Sequence, residues 1–157
     1  MTDQQINNLA RIAAESTASL YHTKTEKEAI DLFLETYKYA KEMIVLKQIY
    51  AIEVPEDINK IAQATAQASA SWNKNLLSVE SDVDSFLDTY ESIVRHFIHY
   101  NIKFKIDSEE VIDMVISSLR TVLCSHNRYY DKALVDVVLD AYNYGIENIK
   151  EENQKNR

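Results

Sequence analysis

One glycine and one proline are all that the 157 residues contain. Type II and hairpin turns lean on glycine for positive φ, and strands are commonly bounded by glycine and proline, so this scarcity speaks against a β-rich fold. It favours long helices joined by short polar connections. With its sole glycine at position 145, the chain can form neither a phosphate-cradling loop nor a dinucleotide fingerprint. A single cysteine, Cys124, leaves no internal disulfide and agrees with a reducing compartment. Basic charge is also in deficit, with 17 Lys and Arg against 25 Asp and Glu, a net charge of −8 and a pI near 5.0. Nucleic-acid binding rests on clustered Lys and Arg, so that class of partner is not expected. The longest apolar candidate, Ile44 to Val54, is interrupted by Lys47 and Glu53 and falls well short of the roughly 20 residues of a membrane span. Met1-Thr2-Asp3-Gln4-Gln5 lacks the basic start and apolar run of a signal peptide. The expected location is cytoplasmic, with no membrane contact.

What the chain does contain is a repeat. Ile30-Asp31-Leu32-Phe33-Leu34-Glu35-Thr36-Tyr37 returns as Val83-Asp84-Ser85-Phe86-Leu87-Asp88-Thr89-Tyr90 and as Val135-Asp136-Val137-Val138-Leu139-Asp140-Ala141-Tyr142. The three tyrosines stand 53 and 52 residues apart. Upstream, Ile6 to Leu20 aligns without a gap on Ile58 to Trp72 at an offset of 52, with identities at 6/58, 7/59, 10/62, 14/66, 18/70 and 19/71. Two independent alignments at one period define a repeat architecture.

Apolar spacing of three and four residues predicts a pair of helices in each copy. The first helix is capped by Thr2 or Asp3 and carries Ile6, Leu9, Ala13, Ser16 and Leu20. The second opens on a Thr25-x-x-Glu28 capping box and turns Ile30, Phe33, Leu34, Tyr37, Ala40 and Ile44 inward, running to about Ile52 in one piece or breaking near Lys47. Val54-Pro55 stops it, and Pro55-Glu56-Asp57 starts the third helix. Ser78 or Ser81 caps the fourth, which ends near Asn101. Ile102 to Ile106 is expected to be extended with Phe104 on the core. A fifth helix begins at Ser108, and a sixth begins near Asn127 and ends near Ile149. The reading is all-α, a single domain of six helices in three tandem antiparallel hairpins, 1–54, 55–106 and 107–150, with a frayed tail at 151–157. The hairpins form a compact bundle or a short superhelix.

No catalytic constellation emerges from the side chains. Neither a Cys-His-Asn nor a Ser-His-Asp set can be built from the spacing, and Cys124 reads as core filler. His96 and His99 share a helix face but lack the third and fourth ligands that zinc requires, so no metal or cofactor is assigned. The acid pairs Asp31/Glu35, Asp84/Asp88 and Asp136/Asp140 sit at i and i+4 beside the apolar stripe, which is where solvated flanks lie. Glu80, Asp82, Asp84, Asp88 and Glu91 form a run without one basic residue, suited to a basic partner surface. Tyr37, Tyr90 and Tyr142 are expected in the core. Tyr39 and Tyr144 point elsewhere and, with Trp72, resemble interface anchors.

The function expected is that of a small acidic protein-binding module, of the modulator, inhibitor or immunity type, with Asp84, Asp88, Glu91, Tyr39, Trp72 and Tyr144 meeting the partner. The bias towards Asn, Lys, Ile and Tyr suggests a phage or low-GC bacterial source. Two alternatives stand beside it: a ligand- or metal-binding bundle, able to serve as an enzyme, with carboxylates drawn from different repeats, and a structural homo-oligomer.

Overall fold

A computed structural model describes residues 1–72, 78–102, 113–114, 116–117, 120–121 and 134–155. Among them are five α-helices: α1 (Asp3–Ala18), α2 (Glu26–Leu46), α3 (Glu56–Trp72), α4 (Val79–His99) and α5 (Leu134–Lys155), with a 3-10 turn at Ile49–Ala51. No strand occurs among the described residues. α1 pairs with α2 and α3 with α4 as two helix hairpins, and α1 and α2 both reach across to α4.

The helix starts follow the local chemistry. Thr2 and Gln5 form a complete capping box, each side chain bonding the other's backbone N–H. At α2 the box is half formed. The Thr25 hydroxyl accepts from Glu28 N–H, while the Glu28 carboxylate accepts from Lys24 N–H instead of from Thr25. Ser78 caps α4 by accepting from Ser81 N–H at 3.0 Å.

α2 stops at Leu46, short of the expected Ile52, because Gln48 turns left-handed at φ 59°. Asn101, 53 residues later, does the same at φ 51° after α4. The repeat therefore extends to the backbone joint that ends each hairpin.

Small residues pack inside the core from both α1 and α3: Ala10, Ala13 and Ala14 on one, Ala62 and Ala66 on the other, all fully buried. Leu9 and Ile61, equivalent in the repeat, are both fully buried, and Val83, Leu87, Tyr90, Ile93, Val94 and Phe97 of α4 complete this core. The side chain of Gln5 ties the start of α1 to the α2–α3 connection, donating to Val54 O at 3.0 Å and to Glu56 Oε2 at 3.2 Å.

The expected inward stripe of α2 holds at Ala40 and Ile44 and is corrected at Ile30 and Leu34. Thr36, Ala40 and Ile44 face the core, Phe33 and Tyr37 are half-buried, and Ile30 and Leu34 are 58% and 54% exposed. Periodicity identifies an apolar face but cannot say whether anything covers it. α5 buries Val137, Val138 and Tyr142 in the same core, and it continues to Lys155, beyond the expected end near Ile149. The expected extended stretch with Phe104, the Asn127 cap, Cys124 and His126 lie outside the described residues; Asp113, Met114, Ile116, Ser117, Arg120 and Thr121 are helical.

Candidate functional site

Two hydroxyls and one ammonium of the first hairpin meet three of the five acids of α4. Tyr21 donates to Asp82 Oδ2 at 2.6 Å, Tyr39 approaches both oxygens of Asp84 at 3.3 Å, and Lys47 Nζ lies 2.7 Å from Asp88 Oδ1. Parallel placement of α2 and α4 explains the order, since residues 39 and 47 rise with 84 and 88. Burial, reinforced by the Asp82 carboxylate, pushes the Tyr21 phenol up to about 12. Burial and then the Asp84 charge raise Tyr39 in the same direction.

These contacts give the acidic residues a place in the seam between hairpins. Asp84 is half-buried there, whereas Asp88 keeps its side chain 67% exposed. Glu91 Oε1 lies 3.5 Å from Arg95 Nε one turn on, and its Oε2 is buried without a hydrogen-bond partner among the described residues. Tyr39 is half-buried at the seam, and Tyr144 on α5 is 74% exposed. Trp72 ends α3, and its side chain lies outside the described set. The structure thus brings Tyr39 and Asp84 together and places Tyr144 apart from them on another helix.

Sequence reasoning missed one apolar feature of this surface. Ile30, Phe33, Leu34 and Tyr37 are equivalent in the repeat to Val83, Phe86, Leu87 and Tyr90, which are 2% exposed or less. The neighbouring positions follow suit, Ile6 half-buried and Asn7 exposed where Ile58 and Asn59 are buried. The outer edge of this face, Ile30 and Leu34, is therefore open where its counterpart on the second hairpin is covered. The signal available in the sequence was the repeat itself, which sets Ile30 and Leu34 at the registers of Val83 and Leu87.

Asp31 and Glu35, at the registers of Asp84 and Asp88, flank this open stripe and are exposed. Phe33 and Tyr37 stack along it with ring centroids 6.4 Å apart, and Lys41 Nζ stands 5.6 Å from the Tyr37 ring. His96 and His99 bracket Tyr100 at ring distances of 4.6 and 4.8 Å. No group of three or more His, Cys, Asp or Glu side chains suited to a metal ion occurs among the described residues. A cavity of about 240 Å³ between α1, α3 and α4 is lined by Thr17, Ser81, Asp82, Ser85 and Thr89 together with alanines and Phe86. Among the described residues no helix is long and apolar enough to cross a membrane. Comparison with protein-family models, with curated proteins and with solved structures finds no match.

Proposed function

We propose that this chain is a small acidic protein-binding module built as an open stack of three helix hairpins, docking its partner on the uncovered face of the first. The observation that carries the reading is the burial contrast at one repeat register: Ile30 and Leu34 are 58% and 54% exposed, Val83 and Leu87 fully buried. Contiguous apolar stripes of this kind on a soluble chain mark interaction surfaces. Support for a third hairpin comes from Val138 and Tyr142 of α5, buried at the registers of Phe86 and Tyr90. It also comes from the bond of 2.9 Å that Arg120 donates to Gln67, which sets Arg120 beside α3. In a closed ring of hairpins the third would lie over Ile30 and Leu34, so their exposure favours the open superhelix over the closed bundle.

Charge selects the kind of partner. Where Asp84 and Asp88 receive Tyr39 and Lys47 within the chain, Asp31 and Glu35 are exposed. A partner helix with small residues on its contact face, flanked by a hydroxyl and a basic side chain, reproduces the internal seam. A modulator or inhibitor role in the cytoplasm follows from this reading.

The test is a tagged pull-down from lysate of the natural host, run with the native chain and with the Ile30→Glu/Leu34→Glu double variant, each checked for helicity by circular dichroism. A stoichiometric protein captured by the native chain and lost with the folded double variant is the expected result. Equal capture by both overturns the assignment to this face.

A further inference from the structure

We infer that the open face of the first hairpin receives the third hairpin of a second copy of this chain, in head-to-tail order. The inference rests on the three-hairpin stack proposed above and names its partner. At the seam between the first and second hairpins α1 and α2 both pack on α4, and α2 brings Tyr39 to Asp84 while burying the small Thr36 and Ala40. Moved along by two repeats, 105 residues, these positions become Ala141, Tyr144 and Gly145 of α5. Both small positions stay small, and the tyrosine is retained. Its intended acceptor is retained as well, because Asp31 stands at the register of Asp84.

Two observations make this face of α5 a donor surface awaiting its stripe. Tyr144 is 74% exposed, the most exposed of the large apolar side chains described. The only glycine of the chain, Gly145, sits inside α5, where it costs about 1 kcal/mol of helix stability relative to alanine. A glycine at the register where Ala40 packs permits the close approach of another helix. One contact is not reproduced: Glu152 holds the register of Lys47, so in this arrangement two acids, Glu152 and Glu35, meet where Lys47 and Asp88 meet within the chain. The association is accordingly weaker than the packing of one hairpin on the next. Being heterologous, it leaves a free stripe at one end and a free Tyr144 at the other, so it grows with concentration without closing.

Sedimentation velocity of the full chain from micromolar to millimolar concentration tests this directly, alongside a head variant, Ile30→Glu/Leu34→Glu, and a tail variant, Tyr144→Ala/Gly145→Leu. The native chain is expected to grow in mass with concentration beyond a dimer, each variant alone to stay monomeric, and an equimolar mixture of the two to stop at the dimer. Glu152→Lys is expected to tighten association by about two- to five-fold, the worth of one exposed ion pair. A native chain that stays monomeric throughout overturns the inference, as does a native dimer that grows no further or a mixture that stays monomeric. A monomeric chain that still captures a host protein through Ile30 and Leu34 leaves the protein-binding reading standing and removes only the second copy as its partner.

Discussion

The Tyr90 phenol donates a 2.6 Å hydrogen bond to Asn59 Oδ1 across the second hairpin. The first hairpin repeats the pair at the same register, Tyr37 to Asn7 at 3.4 Å, but exposed to solvent. A buried acceptor that loses its donor costs about 1–3 kcal/mol, whereas an exposed one turns to water. Tyr90→Phe should therefore destabilise by about 1–2 kcal/mol, the longer 3.4 Å bond from Gln63 to Asn59 offsetting part of the loss. Tyr37→Phe should stay within about 0.5 kcal/mol. Urea unfolding of both variants checks this, and equal effects would contradict the assignment of the two environments.

Leu34 and Leu87 offer the same comparison for apolar burial, one residue type at one register in two surroundings. Leu87 is fully buried, so Leu87→Ala leaves a cavity and is expected to cost about 2–5 kcal/mol. Leu34→Ala removes a side chain that is 54% exposed and should cost under about 1 kcal/mol in the monomer. Thermal melts at low protein concentration separate the two.

Alkaline pH should destabilise the fold. The phenols of Tyr21, Tyr39 and Tyr90 all bind their protons more tightly in the folded chain, chiefly through burial, aided by Asp82, Asp84 and Glu56 respectively. A raised pKa means that the folded state holds the proton longer than the unfolded one, so this contribution is complete below the ordinary value of 10.0 and is lost as pH rises towards about 12 for Tyr21. Unfolding free energy is expected to fall steadily through that window, less steeply in Tyr21→Phe. A stability that stays level there would contradict the burial of these hydroxyls.

The Lys47–Asp88 pair is short at 2.7 Å, yet its two side chains are 23% and 67% exposed. Exposed pairs contribute about 0.2–1 kcal/mol and are screened by salt. A double-mutant cycle with Lys47→Ala and Asp88→Ala should give a coupling below about 1 kcal/mol that shrinks in high salt. A larger, salt-insensitive coupling would show that the seam between hairpins is held by charge more than by the alanines and leucines beneath it.

Much of the architecture was legible because helices announce themselves through period and caps. Thr2, Thr25 and Ser78 mark three helix starts that the structure bears out, and the repeat locates both described hairpins. The fate of the repeated stripe was not legible. Ile30 and Val83 look alike in sequence, and what separates them is the packing of α1 and α2 against α4. The acids of α4 were hidden for a related reason: nothing local to Asp82 or Asp84 reveals that Tyr21 and Tyr39, 61 and 45 residues away, arrive beside them.

The two left-handed joints, Gln48 and Asn101, lie one repeat apart and carry the chain out of each second helix through the same backbone turn. The segment 49–101 is thus bounded by a left-handed residue just before its start and another at its end. Duplicating it in frame would lengthen the array by one unit without redirecting the units on either side. Size in such a chain is set by copy number, and greater length needs only gene duplication, not a new fold.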